Sequence, residues 1–275
     1  MLATPPLHGE NTEAGWLAEL RLRFARQGDR TVLAHRKHSG PLVVQRPFYP
    51  EGDTCHVYLV HPPGGIVGGD SLSLQCDLTE QTHVVITTPA ATKFYRTLPD
   101  ARSTLHQELR VARATLEWLP QETILFRETR ASMATIVRLD SGSRFIGWEQ
   151  SQFGRPSSNE LFDSGQVQQR FELWIDGQPV LLDRLRIEAV AMQSRWGLAG
   201  SPLLSTLLAY PASNDDLDAA RESEEFACTL VDRVLCCRLL NADSDTAKRA
   251  MIALWTTLRP RIVGKAATPP RIWAT

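Results

Sequence analysis

Leu72-Ser73-Leu74-Gln75-Cys76-Asp77-Leu78 alternates apolar and polar residues without a break. A period of two puts the four apolar side chains on one face of an extended chain, the pattern of a half-buried β-strand. Similar short runs lie on both sides of it. Upstream is Cys55–Val60; downstream are 84–88, 105–111, 114–119, 135–139, 144–148, 170–175, 180–187 and 203–210. Turn formers separate them, among them Ser141-Gly142, Gly154-Arg155-Pro156 and Asp176-Gly177, the last a hairpin signal. Many short strands at this spacing predict a mainly β fold.

The last third changes character. Ala247, Ala250, Met251, Leu254, Trp255 and Leu258 recur at helical spacing and predict an amphipathic α-helix, with Ser244 or Asp245 as its cap and Pro260 as its end. A weaker helix is expected from Asn214 to about Glu225, with strands at 227–230 and 234–240 between the two. Residues 1–15 read as a mobile polar tail, and 16–275 as a single domain, since no linker, repeat or charge block divides them.

His61 to Asp70 reads HPPGGIVGGD and joins two expected strands. Glycine loses the most backbone freedom on folding and proline fixes φ, so this composition marks unusual dihedrals or a close approach. The segment fits an anion-binding nest, a structural corner, or a shaped passage or interface. No basic residue lies between Arg46 and Lys93, which weighs against a phosphate cradle. Asp70 closes the segment as either a turn residue or a ligand.

The 275 residues carry a net charge of −1, with 26 arginines against four lysines. There is no global electrostatic case for nucleic acid or an anionic membrane. The first residues lack the apolar stretch of a secretory signal and no run is long enough to span a bilayer, so a cytoplasmic protein is expected. Five cysteines, an odd number, fit reduced thiols. Gly264-Lys265-Ala266 lacks the rest of a P-loop, and no H-E-x-x-H, G-x-S-x-G or C-x-x-C occurs.

No local chelate stands out. Cys55 and His61 would lie about 20 Å apart along a strand. Cys236 and Cys237 point to opposite strand faces and read as core residues. His35, His38, Glu117 and Glu122 read as solvated. Within TTPAATKFYR (87–96), Lys93 and Tyr95 share one strand face and Phe94 and Arg96 the other. Tyr and Arg favour interface hot spots, and a strand end with one buried aromatic explains the segment equally well. Arg271 and Trp273 form a second candidate interface or fold-locking element, because an aromatic residue so near a terminus needs tying down.

Four segments together resemble the urease accessory protein UreD (UreH) family: VQRPFYPEGDTCHVYLVHPPGGIVGGD (44–70), TTPAATKFYR (87–96), LEWLPQETILF (116–126) and LRPRIVGKAATPPRIWAT (258–275). The GRP at 154–156 and ELWIDGQPVLLDRL (172–185) are similar to the family as well. The resemblance implies a superhelical arrangement of many short strands with two α-helices in the C-terminal third. It implies a non-catalytic scaffold for nickel insertion that binds UreF, through it the GTPase UreG, and apo-urease. Nickel would be a transient cargo rather than a bound cofactor. The family's path carboxylates transfer to Asp70, Glu149 and Asp183; Glu149 and Asp183 exchange Asp for Glu, or the reverse, relative to other members. A β-rich metal-dependent hydrolase using Asp70, Glu149 and His61, or an adaptor without metal contact, are the alternatives.

Overall fold

A computed structural model describes residues 15–274. The tail expected over residues 1–15 lies, apart from Gly15, outside them. β1 (Leu17–Gln27) and β2 (Arg30–Ser39) form an antiparallel hairpin, followed by the short β3 (Val43–Val44). The chain then winds in coils that lay strands alternately in two sheets. β4 (Cys55–Val60) enters one sheet and β5 (Ser71–Leu78) the other; β6 (His83–Thr87) returns to the first. After the short β7 (Thr92–Phe94), β8 (Ser103–Val111) and β9 (Thr115–Leu119) repeat the step. The short β10 (Thr123–Leu125), β11 (Arg130–Leu139), β12 (Arg144–Phe153) and β13 (Gln166–Ile175) repeat it again. β14 (Gln178–Ile187) turns back on β13 at Asp176-Gly177, whose φ values of +48° and +77° suit a type I′ hairpin turn.

The one-turn helix α1 (Ala189–Gln193), β15 (Leu203–Tyr210), α2 (Asn214–Arg221), β16 (Ala227–Val231), β17 (Val234–Asn241) and α3 (Ser244–Ile262) complete the fold. One sheet has seven strands in the order β14-β13-β11-β8-β5-β1-β2. The other has ten; its main path is β16-β17-β15-β12-β9-β6-β4-β3, with β10 beside β12 and β7 beside β10. Within the coils the pairings are parallel, β1–β5–β8–β11–β13 in one sheet and β4–β6–β9–β12 in the other. This is a mainly β, superhelical fold, as expected.

Burial follows from the layering. The seven-stranded sheet faces water on one side, so β5 alternates half-buried and buried residues. The ten-stranded sheet is a middle layer and β6 is buried at all five positions. Phe24, Leu74, Trp118 and Phe145 fill the space between the sheets. Val85, Leu207, Leu254 and Trp255 fill a second core between the ten-stranded sheet and helices α2 and α3. Each such side chain removed from water contributes about 1.5–3 kcal/mol.

The helices differ from expectation in detail. The cap of α3 is Asp243, whose carboxylate accepts from the Thr246 amide at 2.7 Å, rather than Ser244 or Asp245. Pro260 lies inside the last turn, and the helix continues to Ile262. α2 stops at Arg221, and Ser213 and Asp216 close a reciprocal capping box at its start. The short α1 has no counterpart in the sequence reading: only one of its five residues, Met192, is buried, so it carries little periodicity.

Candidate functional site

Between the sheets, five polar side chains from four strands form a continuous hydrogen-bonded chain. Ser151 Oγ donates to Gln169 Oε1 at 2.9 Å, and Gln169 Nε2 donates to Glu149 Oε2 at 2.7 Å. Glu149 in turn shares a hydrogen bond with Thr135, whose hydroxyl donates to Gln107 Oε1 at 2.8 Å. Gln107 and Thr135 are direct neighbours in the β8–β11 register. These residues occupy positions that alternation assigns to the core: Gln107 follows Leu105 and precedes Leu109, and Gln169 lies between Val167 and Phe171. A polar residue in the apolar phase of a strand is the sequence signal that could have found them.

Burial pushes the Glu149 carboxyl up to about 7, with hydrogen bonds from the Thr135 hydroxyl and the Gln169 amide opposing and the nearby Asp183 charge adding to it.

Glu149 and Asp183 share one cavity, with Gln169 and Thr206 set against Phe171 and Leu204. Its volume is about 10 Å³, roughly the room one water needs. Asp183 pairs with Arg238 at 2.9 Å. At the other end of the chain, Gln107 also lines a cavity of about 200 Å³, together with His61, Thr88, Thr92, Ile66 and Leu74. His61 Nε2 is buried without a partner; burial lowers the imidazole's proton affinity, opposed by the negative charge of Asp70.

Asp70 is not in the cavity of the other two acids. Its buried carboxylate accepts from the Trp16 amide at 2.8 Å and the Val67 amide at 2.9 Å, closing the glycine-rich turn and pinning the approach to β1. The glycines allow close packing: a Cβ on Gly65 would sit 2.1 Å from the Tyr95 ring. Ile66 bonds across to Lys93 and Tyr95, so the loop and the Lys93–Arg96 segment form one unit. Phe94 is fully buried, Tyr95 meets Phe126 edge-on at 4.8 Å, and Arg96 is exposed. Near the C-terminus, Trp273 packs on Trp148 and Trp255 with ring centroids 5.3 and 5.4 Å away, and its indole N–H donates to Thr87. Arg271 is exposed.

Glu117, expected to be solvated, is fully buried instead. In the middle layer its side chain points to the helix side, where it accepts from His83 Nε2 at 2.8 Å, Trp255 Nε1 at 3.1 Å and Arg259 at 2.9 Å. The same guanidinium reaches Glu51, which also pairs with His56 at 2.9 Å. Carboxylates only accept, so both histidines carry their proton on Nε2. Among the described residues, no three His, Cys, Asp or Glu side chains are grouped to hold a metal ion, and no helix is long and apolar enough to cross a membrane.

Comparison of its sequence with known proteins places this two-sheet solenoid with a helical layer among urease accessory proteins. The family model described as UreD urease accessory protein matches residues 17–274. The chain is 43% identical to the urease accessory protein UreD of Klebsiella aerogenes, covering 98% of this chain and 99% of that one. It is 44% identical to the protein of the same name from Citrobacter koseri, over 95% and 92% of the two chains, and 45% identical to that of Pseudomonas putida, over 96% of each. The chain belongs to the UreD urease accessory protein family.

Proposed function

We propose that this chain serves urease maturation as a non-catalytic cytoplasmic scaffold that binds UreF, through it UreG, and apo-urease, and that nickel crosses its interior as transient cargo. The observation that carries the passage is the polar chain Gln107–Thr135–Glu149–Gln169–Ser151 inside an otherwise apolar layer. Thr135 and Ser151 are buried and the other three half-buried; polar groups withdrawn from water cost free energy unless paired, and packing two sheets does not require such a chain. Nickel binds strongly to clustered nitrogen and sulfur ligands, so a relay that must release it is better served by single carboxylates, amides and water. Glu149 suits such a relay, because an arriving cation displaces its proton and reprotonation weakens its hold. Asp183 shares its cavity. Asp70, with both oxygens held by backbone amides, shapes the loop and contributes charge. Exposed Arg96 and Arg271 are available to partners. The missing P-loop fits a division of labour in which UreG handles the nucleotide.

Glu149→Gln keeps the side chain's size and removes its charge. Co-expressed with urease and the other accessory proteins, the variant is expected to assemble normally and to lower both the nickel content and the activity of urease. Wild-type values of both would remove Glu149 from the mechanism.

A further inference from the structure

All five cysteines are buried free thiols, and two of them lie side by side. Cys228 on β16 and Cys237 on β17 are directly opposite in the antiparallel register. Both face the helix side of the sheet, and their sulfurs share a hydrogen bond. Cys236, the next residue along β17, points the other way, into the space between the sheets. Opposed residues of an antiparallel pair have Cα atoms about 4.5–5.5 Å apart. A disulfide spans about 4.4–6.8 Å, so the register sets the two residues at a bridgeable spacing.

We propose that Cys228 and Cys237 are a modification site, forming a reversible cross-strand disulfide when the protein meets a peroxide. Cys228 lies on the edge strand and is 9% exposed, whereas Cys237 is fully covered, which orders the chemistry. The hydrogen bond from Cys237 and the charge of Arg221 hold the Cys228 thiol below its usual range, favouring its thiolate. That sulfur attacks one peroxide oxygen. An S–O bond forms, the O–O bond breaks and hydroxide leaves, taking up the thiol proton as water. The Cys237 sulfur then attacks the Cys228 sulfenic acid: the S–S bond forms, the S–O bond breaks, and the Cys237 proton leaves with the hydroxyl as a second water. Two thiols and one hydrogen peroxide thus give one disulfide and two waters, with two electrons passing from sulfur to oxygen. A thiol reductant reverses it by exchange. The bond would fasten β16 to β17 beside Arg238, which holds Asp183.

The full-length protein is treated with a stoichiometric amount of hydrogen peroxide, denatured in an alkylating agent, digested and mapped by mass spectrometry. A Cys228–Cys237 linked peptide is expected, lost on adding dithiothreitol, with Cys55, Cys76 and Cys236 alkylated. The link should persist in Cys236→Ser. In Cys237→Ser, Cys228 should stop at the sulfenic acid and be trapped by dimedone. Both thiols found alkylated at a peroxide dose that oxidises a free-thiol control peptide, or a linkage through Cys236, would overturn the proposal.

Discussion

Arg259, in the last turn of α3, grips Glu117 in the middle of β9 through two nitrogens. Its Nε and Nη2 each lie 2.9 Å from a carboxylate oxygen, and neither residue is exposed. The pair fastens the helical layer to the middle sheet across 142 positions of sequence. Removing one partner of a buried ion pair leaves the other charge uncompensated, at a cost of about 3–5 kcal/mol. Arg259→Ala should lose that much in urea unfolding of the full chain. Replacing both residues, Glu117→Leu with Arg259→Met, should cost much less. A loss below about 1 kcal/mol in the single variant would show that the clamp contributes little.

The acids of the fold pull its pH dependence in opposite directions. Despite the penalty of burial, hydrogen bonds from His56 and Arg259 bring Glu51 from 4.5 down to about 2, and those from His83 and Arg259 lower Glu117. Depressed carboxylates contribute stability that is complete above about pH 4.5 and is lost as the pH falls through their folded values. Glu149 acts oppositely: unfolded it ionises near 4.5, folded near 7, so stability declines as pH rises through that window and stays reduced above it. Glu149→Gln should therefore match the wild type at pH 4 and exceed it by about 3 kcal/mol at pH 8. Unfolding midpoints measured across that range would show the two curves diverging; parallel curves would refute the protonated interior acid.

Gly65 faces the Tyr95 ring with no space for a methyl group. Gly65→Ala should force the ring or the loop aside and cost about 1–3 kcal/mol, as overpacking does. The companion Tyr95→Leu should recover part of the loss, because the obstructing ring is gone. Thermal unfolding of the two single variants and the double variant checks this by its non-additivity.

Trp273 sits in a three-tryptophan cluster with Trp148 and Trp255. Trp273→Ala should destabilise the chain by roughly 2–3 kcal/mol, below the full cost of a core tryptophan because the ring is only partly buried. Arg271→Ala, at an exposed position, should leave stability unchanged. A pull-down with UreF then separates the two roles of this segment: a binding loss in Arg271→Ala alone marks an interface, and a loss that tracks only with unfolding marks a lock.

Much of the strand pattern is legible because one face of the outer sheet meets water, as at Leu72–Leu78, or because turn chemistry is local, as at Asp176-Gly177. The hydrophilic edge strand β2 gives little apolar signal, since all its residues from Ala34 on are exposed and only the hairpin register fixes them. Glu117 reads as solvated because a charge in a strand usually is; only the third layer, supplied by a helix far along the chain, makes its burial possible. At the candidate site, Glu149 and Asp183 are reached through family resemblance. Their shared cavity is not legible, because β12 and β14 belong to different sheets. Gln107, Thr135 and Gln169 pass as ordinary polar strand residues, although each breaks the apolar phase of its own strand.

The constriction at Glu149 and Asp183, with about 10 Å³ of free space, has a kinetic meaning on the proposed route. A cation wearing its full hydration shell does not fit there. It would have to strip off water and wait for side chains to swing aside, so throughput would be clocked by rotamer exchange and by breathing of the two sheets on the microsecond-to-millisecond scale. Cooling should slow delivery more steeply than it thickens water. On that route the protein would work as a turnstile, admitting ions one at a time at a pace the fold itself sets.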